Sequence, residues 1–187
     1  MNTSENAIGA GGATLLEAIK VWDPFVRVFH WSLAALFLAA YVTGDDAGQM
    51  HIAAGYAIAG LIALRIVWGF VGPRHARFSN FVRSPREVLT YLRDVIMFRA
   101  PRYLGHNPAG GVMIIALLVL LLGTGLTGYL MTTDVFWGAK WVEEVHEALA
   151  NLTVGLIVFH VVGVLISSLK DGENLVKSMI TGWKRHT

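Results

Sequence analysis

The chain has 187 residues, of which 55% are hydrophobic and only 15% are charged, and its formal net charge is +2 at pH 7. This composition is typical of a membrane protein of one domain rather than of a soluble globular domain. The chain contains no cysteine. Disulfides, thiolate metal sites, iron–sulfur clusters and covalent attachment of haem through cysteine are therefore excluded.

The N-terminal residues 1–20 are small, polar and rich in glycine, and they carry too little apolar surface to fold alone. We expect them to form a mobile tail in front of one domain over residues 21–187. A cleaved signal peptide is the weaker alternative. Lys20 and Arg27 precede the apolar run 31–42, but the flanking charge is mixed and the run is long enough to remain as a span.

Four apolar segments are long enough to cross a membrane, because about 20 helical residues at about 1.5 Å each cover roughly 30 Å of hydrocarbon. The segments are predicted at Pro24–Thr43, Ile52–Val71, Gly110–Met131 and Leu149–Leu169. The sequence therefore predicts an all-α membrane protein, a bundle of four transmembrane helices.

Three helix starts carry capping motifs. In "WDPF" at 22–25 the aspartate can cap the helix and the proline suits its first turn, and "NP" at 107–108 repeats this arrangement before the third span. "SPRE" at 84–87 has the spacing of a capping box. The residues that follow, 88–98, mix apolar side chains at helical spacing with arginines. We therefore expect an interfacial amphipathic helix between spans 2 and 3, on the inner membrane surface.

The connections between spans differ in charge, which predicts their side of the membrane. Arginines crowd the middle connection and cations recur in the C-terminal tail, so the positive-inside rule places both in the cytoplasm. The other two connections are acidic, with Lys140 as their only cation, and should face outward. Both termini are then cytoplasmic. The cations are Arg74, Arg77, Arg83, Arg86, Arg93, Arg99, Arg102, Lys170, Lys177, Lys184 and Arg185, and the outer acids are Asp45, Asp46, Asp134, Glu143 and Glu144.

Four histidines form two pairs at matching depths in the predicted bundle. A helix turns about 100° per residue, so His146 and His160, fourteen residues apart, look the same way from two depths about 21 Å apart. His30 lies about 20 Å from the outer end of its helix, and His51 begins the next helix on the outer side. Counted from the outer surface, His30 meets His160 and His51 meets His146.

Facing imidazoles in an apolar site suit the axial positions of a haem iron better than zinc, which would need a third or fourth ligand. An unpartnered ionisable group in hydrocarbon is costly, so such histidines should face the bundle interior. The alternative is that His30, His51 and His146 are interfacial side chains without a ligand. The remaining histidines are expected to be solvated in cytoplasmic loops or the tail: His75, His106 and His186.

Other residues are candidates for contact with a cofactor at the inner pair. Arg65 lies fourteen residues after His51 and should share its helix face at the inner depth, where it could pair with a haem propionate. Snorkelling toward the inner headgroups is the open alternative. Arg27 and Trp22 join Arg65 as candidates for a quinone site. "GTGLTG" at 123–128 allows the close approach of a neighbouring helix, which we favour, or of a flat macrocycle.

Five motifs in order resemble the bacterial cytochrome b-561 family over about residues 21–185: "FHW" with His30, "HIAAGY" with His51, "GHNPAGG", "HEALANL" with His146 and "FHVVGVL" with His160. That family includes the b-type cytochrome subunit of membrane nickel–iron hydrogenases and stand-alone quinone-linked members, one kind of which oxidises superoxide. The resemblance implies a four-helix protein of the bacterial inner membrane with two b haems. It also implies ligation by His30 with His160 and by His51 with His146.

With both axial positions filled, a haem iron has no open site for oxygen, and one-electron transfer is the chemistry left to it. We therefore expect electron transfer between membrane quinone and a periplasmic redox partner. The acidic outer surface should attract a basic protein and repel an anion. A c-type cytochrome, or a dehydrogenase or hydrogenase, thus ranks ahead of superoxide oxidation coupled to quinone. A haem-free transporter is the lesser alternative, disfavoured because the spans lack acidic residues.

Overall fold

The computed structural model describes residues 18–44 and 48–185, which are mostly helical. In chain order the elements are β1 (Ala18–Lys20), α1 (Pro24–Val42), α2 (Gln49–Val71), α3 (Phe78–Phe81), α4 (Pro85–Ile96), α5 (Pro108–Met131), α6 (Lys140–Asp171), α7 (Leu175–Thr181) and β2 (Trp183–Arg185). By length and composition, α1, α2, α5 and α6 can each cross a membrane. The predicted four-helix membrane architecture is therefore confirmed.

The last long helix extends further than its predicted span. It begins at Lys140 rather than at Leu149, so one helix of 32 residues carries both His146 and His160. At about 1.5 Å per residue it is about 48 Å long, more than the hydrocarbon of a bilayer. The acidic first turns of α6 therefore extend beyond the apolar layer.

The helix starts use the capping motifs read from the sequence. Carboxylate and amide oxygens of Asp23 and Asn107 accept hydrogen bonds from the backbone N–H groups three residues on, at 3.1 and 2.7 Å. At α4 the hydroxyl of Ser84 accepts from the Glu87 N–H at 3.3 Å and donates to its carboxylate at 2.9 Å. The Glu87 carboxylate thus bonds to the side chain of the capping serine.

Helix α4 lies where the interfacial helix is expected. Tyr91 is buried, whereas Leu89, Leu92 and Ile96 are exposed. Arginines on the exposed side stand beside these apolar side chains. This combination is what a helix at a membrane surface presents. Its position on the inner surface stays a prediction.

The long helices pack as two hairpins. α1 packs on α2, α5 packs on α6, and contact between α2 and α5 joins them. The buried core lies along this seam and includes Phe29, Ile58, Ile62, Leu118 and Leu121. Among the described residues, α6 makes at most marginal contact with α1 and α2. Side chains of α6 therefore face the first hairpin across a wider separation.

A two-stranded sheet ties the two ends of the described chain together at the predicted cytoplasmic end of the bundle, called the inner end from here on. β1 pairs antiparallel with β2, with Ile19 opposite Lys184. Beside it, the buried carboxylate of Glu173 accepts hydrogen bonds from the Arg102 side chain at 2.8 Å and from the Arg185 N–H at 2.7 Å. Residues 18–20, expected as tail, thus form a strand, and residues 1–17 lie outside the described part.

The short helix α3 lies against the start of α5, where only glycine fits. A methyl group built on Gly111 would lie 2.5 Å from the carbonyl oxygen of Phe81. Backbone cannot yield as a flexible side chain does. We therefore expect Gly111→Ala to destabilise the protein by about 1–3 kcal/mol, as overpacking does.

Thermal unfolding of the purified protein in detergent, followed by circular dichroism, measures this effect. Gly60→Ala is the matched control, because Gly60 is exposed on α2 and a methyl group there meets nothing within 4 Å. It should be neutral or stabilising by up to about 1 kcal/mol. Equal midpoints for the two variants would contradict the close packing of α3 on α5.

Candidate functional site

The structure brings His30, His51, His146 and His160 together as two pairs. His30 of α1 faces His160 of α6, with ring centroids 6.3 Å apart and an interplanar angle of 51°. His51 of α2 faces His146 of α6, with centroids 6.0 Å apart and an angle of 74°. We call these the inner pair and the outer pair. Each pair contains the two residues that we predicted from their depths along the helices.

The separation in each pair suits two imidazoles on opposite sides of one metal ion. Two metal–nitrogen bonds of about 2 Å, with roughly 1 Å from each nitrogen to its ring centre, put the centroids about 6 Å apart. Within the described residues no group of three or more His, Cys, Asp or Glu could hold a metal ion. A zinc site would require such a group of three or four ligands. Haem iron needs only axial ligands, so the donor set fits haem.

Backbone carbonyls orient both rings of the outer pair. The Nδ1 of His51 lies 2.8 Å from the Ala40 carbonyl oxygen, and that of His146 lies 2.9 Å from the Thr124 carbonyl oxygen. The Thr127 hydroxyl lies 3.1 Å from the same His146 nitrogen. A carbonyl can only accept, so we assign the proton to Nδ1 in each ring. Each Nε2 is then unprotonated and free to ligate a metal.

In the inner pair one ring, that of His30, has no such tether in the described part of the chain, and a cation is buried on the neighbouring helix α2. The Nδ1 of His30 is buried and finds no hydrogen-bond partner among the described residues. Arg65 is 3% exposed and donates from Nη2 to the Ala76 carbonyl at 3.1 Å, while its buried Nη1 is unpartnered there. Its guanidinium therefore does not snorkel to the surface. A buried cation with an unused donor is costly and indicates a missing anion.

His106, expected to be solvated in a loop, is packed beneath the bundle instead. Its ring lies between Trp22 and Phe81, with centroids 4.6 and 4.9 Å away, and its Nδ1 is buried without a partner in the described part of the chain. Burial, with the positive charges of Arg65 and Lys184, lowers the pKa of His106 to about 3. The expectation was wrong because the loop folds back across the helix ends. The one feature of the sequence that could have predicted this packing is the position of His106 directly before the Asn-Pro helix start.

Two other predicted candidates also lie at this end. Arg27 is half-buried with its Nε unpartnered among the described residues, and Trp22 is buried. His75 is half-buried rather than fully solvated, and burial followed by the charges of Arg74 and Lys184 lowers its pKa. His186 lies outside the described residues.

Glycines of "GTGLTG" let α5 approach α6. A methyl group built on Gly123 would lie 3.1 Å from Leu149 Cδ1, and one on Gly128 would lie 3.1 Å from His146 Cε1. A methyl on Gly125 would meet nothing within 4 Å. Two of the three glycines thus serve the helix contact that the sequence favoured, and Gly128 also leaves room for a ring of the outer pair.

Comparison with known proteins finds relatives over most of the chain. The family model described as prokaryotic cytochrome b561 matches residues 21–182. The probable Ni/Fe-hydrogenase B-type cytochrome subunit of Azotobacter chroococcum mcd 1 is 24% identical, over 89% of this chain and 88% of the relative. The subunit of the same name from Bradyrhizobium diazoefficiens is 26% identical, over 88% and 85%. The putative cytochrome YdhU of Escherichia coli is 26% identical, over 91% and 76%. No solved structure matches significantly.

A branched side chain at residue 128 should disturb the outer pair alone. Gly128→Val would press methyl groups against the His146 ring, which already lies in tight contact with a built Cβ. We expect the variant to bind less haem b than the wild type, measured per chain as the pyridine haemochrome. Gly60→Val, in open space on α2, should keep the wild-type content. Unchanged haem in Gly128→Val would contradict a role for this ring in binding.

Proposed function

The chain belongs to the prokaryotic cytochrome b561 family, and from that premise we propose that it is a di-haem electron carrier between membrane quinone and a redox protein on the outer face. Its family and its four candidate spans make it a multi-pass membrane b-type cytochrome. The observation that supports the finer proposal is the presence of two facing histidine pairs at two depths. We place the protein in the bacterial inner membrane, where quinone exchanges electrons.

Each histidine pair has an assigned role in this proposal. His30 with His160 would hold the inner haem, and His51 with His146 the outer one. A b haem with two imidazole ligands supplies one-electron transfer and offers no open iron site to oxygen. The stacking of the pairs along α6 places the two sites at successive depths. This is the arrangement required to carry an electron from one side of the membrane to the other.

The remaining residues supply orientation, charge and burial. The Ala40 and Thr124 carbonyls hold the outer rings with Nε2 free. Arg65 is assigned to a haem carboxylate, because its buried guanidinium has an unpartnered nitrogen among the described residues. The apolar faces of the long helices keep water away from both sites, so the protein shapes the environment and leaves the redox change to the cofactor.

The outer surface favours a basic partner. Asp134, Glu143, Glu144 and Glu147 are all exposed near the start of α6, against the single cation Lys140. Asp45 and Asp46, also expected there, lie outside the described residues. A surface of one sign steers oppositely charged proteins to it. A c-type cytochrome with a basic rim fits this field, and the names of the relatives make a hydrogenase-type enzyme the other candidate partner.

The acidic surface also predicts an order among outer electron donors. At low ionic strength a basic c-type cytochrome should exchange electrons with the protein faster than superoxide does, because superoxide is an anion. Stopped-flow absorbance at several salt concentrations measures both rates. The double variant Glu143→Gln, Glu144→Gln should slow the cytochrome and weaken its dependence on salt. A faster reaction with superoxide in the wild type would reverse the order proposed for the donors.

Removal of single histidines tests the assignment of the pairs. The purified wild-type protein should show reduced b-type bands with about two haems per chain. His160→Ala should lose the inner haem and keep the outer one, and His146→Ala should do the reverse, because the pairs lie at different depths. Optical spectra with potentiometric titration separate the two. A folded but colourless wild type would refute the di-haem proposal, and loss of the same component in both variants would refute the pairing.

A further inference from the structure

Buried donors without partners gather at the inner end of the bundle. Arg27 Nε, Arg65 Nη1, His75 Nδ1 and His106 Nδ1 are all buried and find no hydrogen-bond partner within the described part of the chain. Native proteins contain few such atoms, and each requires an explanation. The rings of the outer pair, by contrast, are hydrogen-bonded. We assign the proton of both imidazoles to Nδ1, and this concentration of unused donors at one end then fits a bound group that accepts hydrogen bonds.

Arg65 and His106 stand on either side of one aromatic cluster. The Arg65 guanidinium carbon lies 5.1 Å from the Phe78 ring centroid, Phe78 lies 5.8 Å from Phe81, and Phe81 lies 4.9 Å from His106. Trp22 covers the other side of His106 at 4.6 Å. The aromatic rings therefore pack against both side chains, and the Nδ1 atom of His106 is buried among them.

Charge distinguishes between an anion and a neutral acceptor. Lys184 is 5% exposed and Arg65 is 3% exposed, so two cations are buried at this end. Arg27 and Arg102 bring the cations at this end to four, and three carboxylates lie near them: Asp23, Asp171 and Glu173. Burial lowers the pKa of Lys184, an effect that Glu173 partly opposes. The cations exceed the carboxylates by one, so we expect the group that accepts these hydrogen bonds to be an anion, which a quinone carbonyl is not.

We propose that Arg65 and His106, with Arg27 beside them, bind the carboxylates of the inner haem. The inference rests on the proposed function, in which His30 and His160 hold that haem. Arg27 lies three residues before His30 on α1 and so shares its helix face. A b haem carries a pair of carboxylates, which would neutralise the buried cations and accept the unused N–H groups. His106 is thus a positioning residue for the cofactor, although it is not an iron ligand.

Variants of His106 separate its donor from its bulk. His106→Phe keeps an aromatic ring between Trp22 and Phe81 and removes the donor, whereas His106→Gln restores an N–H group. We expect His106→Phe to lose inner haem to excess apomyoglobin about tenfold faster than wild type, because a hydrogen bond to a charged group contributes about that factor. His106→Gln should stay close to the wild-type rate. The inner midpoint potential should fall in His106→Phe, because a carboxylate that loses a hydrogen-bond donor presents more negative charge to the iron and disfavours the electron-rich reduced state.

Control variants show whether a change is specific to His106. Trp183→Phe, an exposed aromatic on β2 at the same end, should change neither the rate of haem loss nor the potential. Arg65→Gln gives a second test if His106→Phe does not fold, and it too should release inner haem faster while the outer haem stays. The inference would be overturned if His106→Phe lost haem at the wild-type rate and kept the wild-type inner potential. This includes the case in which the variant only reacts more slowly with ubiquinone-1. A wild type without haem would instead overturn the proposed function.

Discussion

A polar ring packed between apolar helices needs a polar partner, and this requirement organises the whole bundle. Four imidazoles lie within the spans, and each pairs with one other across the space between helices. One helix, α6, supplies a ring to each pair. Because its two histidines are fourteen residues apart, they share a face at depths about 21 Å apart. The depth and rotation of α6 relative to α1 and α2 are thereby fixed at two points.

The two pairs are positioned by different parts of the chain. The outer rings are held by carbonyls of the neighbouring helices α1 and α5, and Gly128 leaves room for the His146 ring. The inner end depends on residues far apart in sequence: the loop with His106, the short helix α3, and the strands β1 and β2. The outer site is therefore oriented by the long helices around it. The inner site is closed by the loop with His106, by α3 and by the β1–β2 sheet.

This difference explains which features could be predicted from sequence. The pairing of His30 with His160 and of His51 with His146 depends on helical rise and rotation alone, which hold for any regular helix. The caps at Asp23, Ser84 and Asn107 are local motifs as well. The burial of His106 and the strand at 18–20 depend on contacts with distant residues, which no local pattern records. The role of Arg65 stayed open at the level of sequence. Its depth follows from its position in the helix, but the residues around its guanidinium could not be predicted.

The marginal contact of α6 with the first hairpin has a consequence for how the proposed cofactors act. The hairpins α1–α2 and α5–α6 meet mainly along the seam between α2 and α5. On the other side of the bundle, the facing residues include the histidine pairs and, at the inner end, donors without partners in the described residues. A direct hydrogen bond does join the two hairpins there, from the Tyr41 hydroxyl to the Asn151 side-chain oxygen at 3.0 Å, and a group bound beside it would supply further packing and hydrogen bonds. Ligands that bind only the native state stabilise it by mass action. In this protein the proposed haems would therefore serve as the second seam of the bundle as well as its electron carriers.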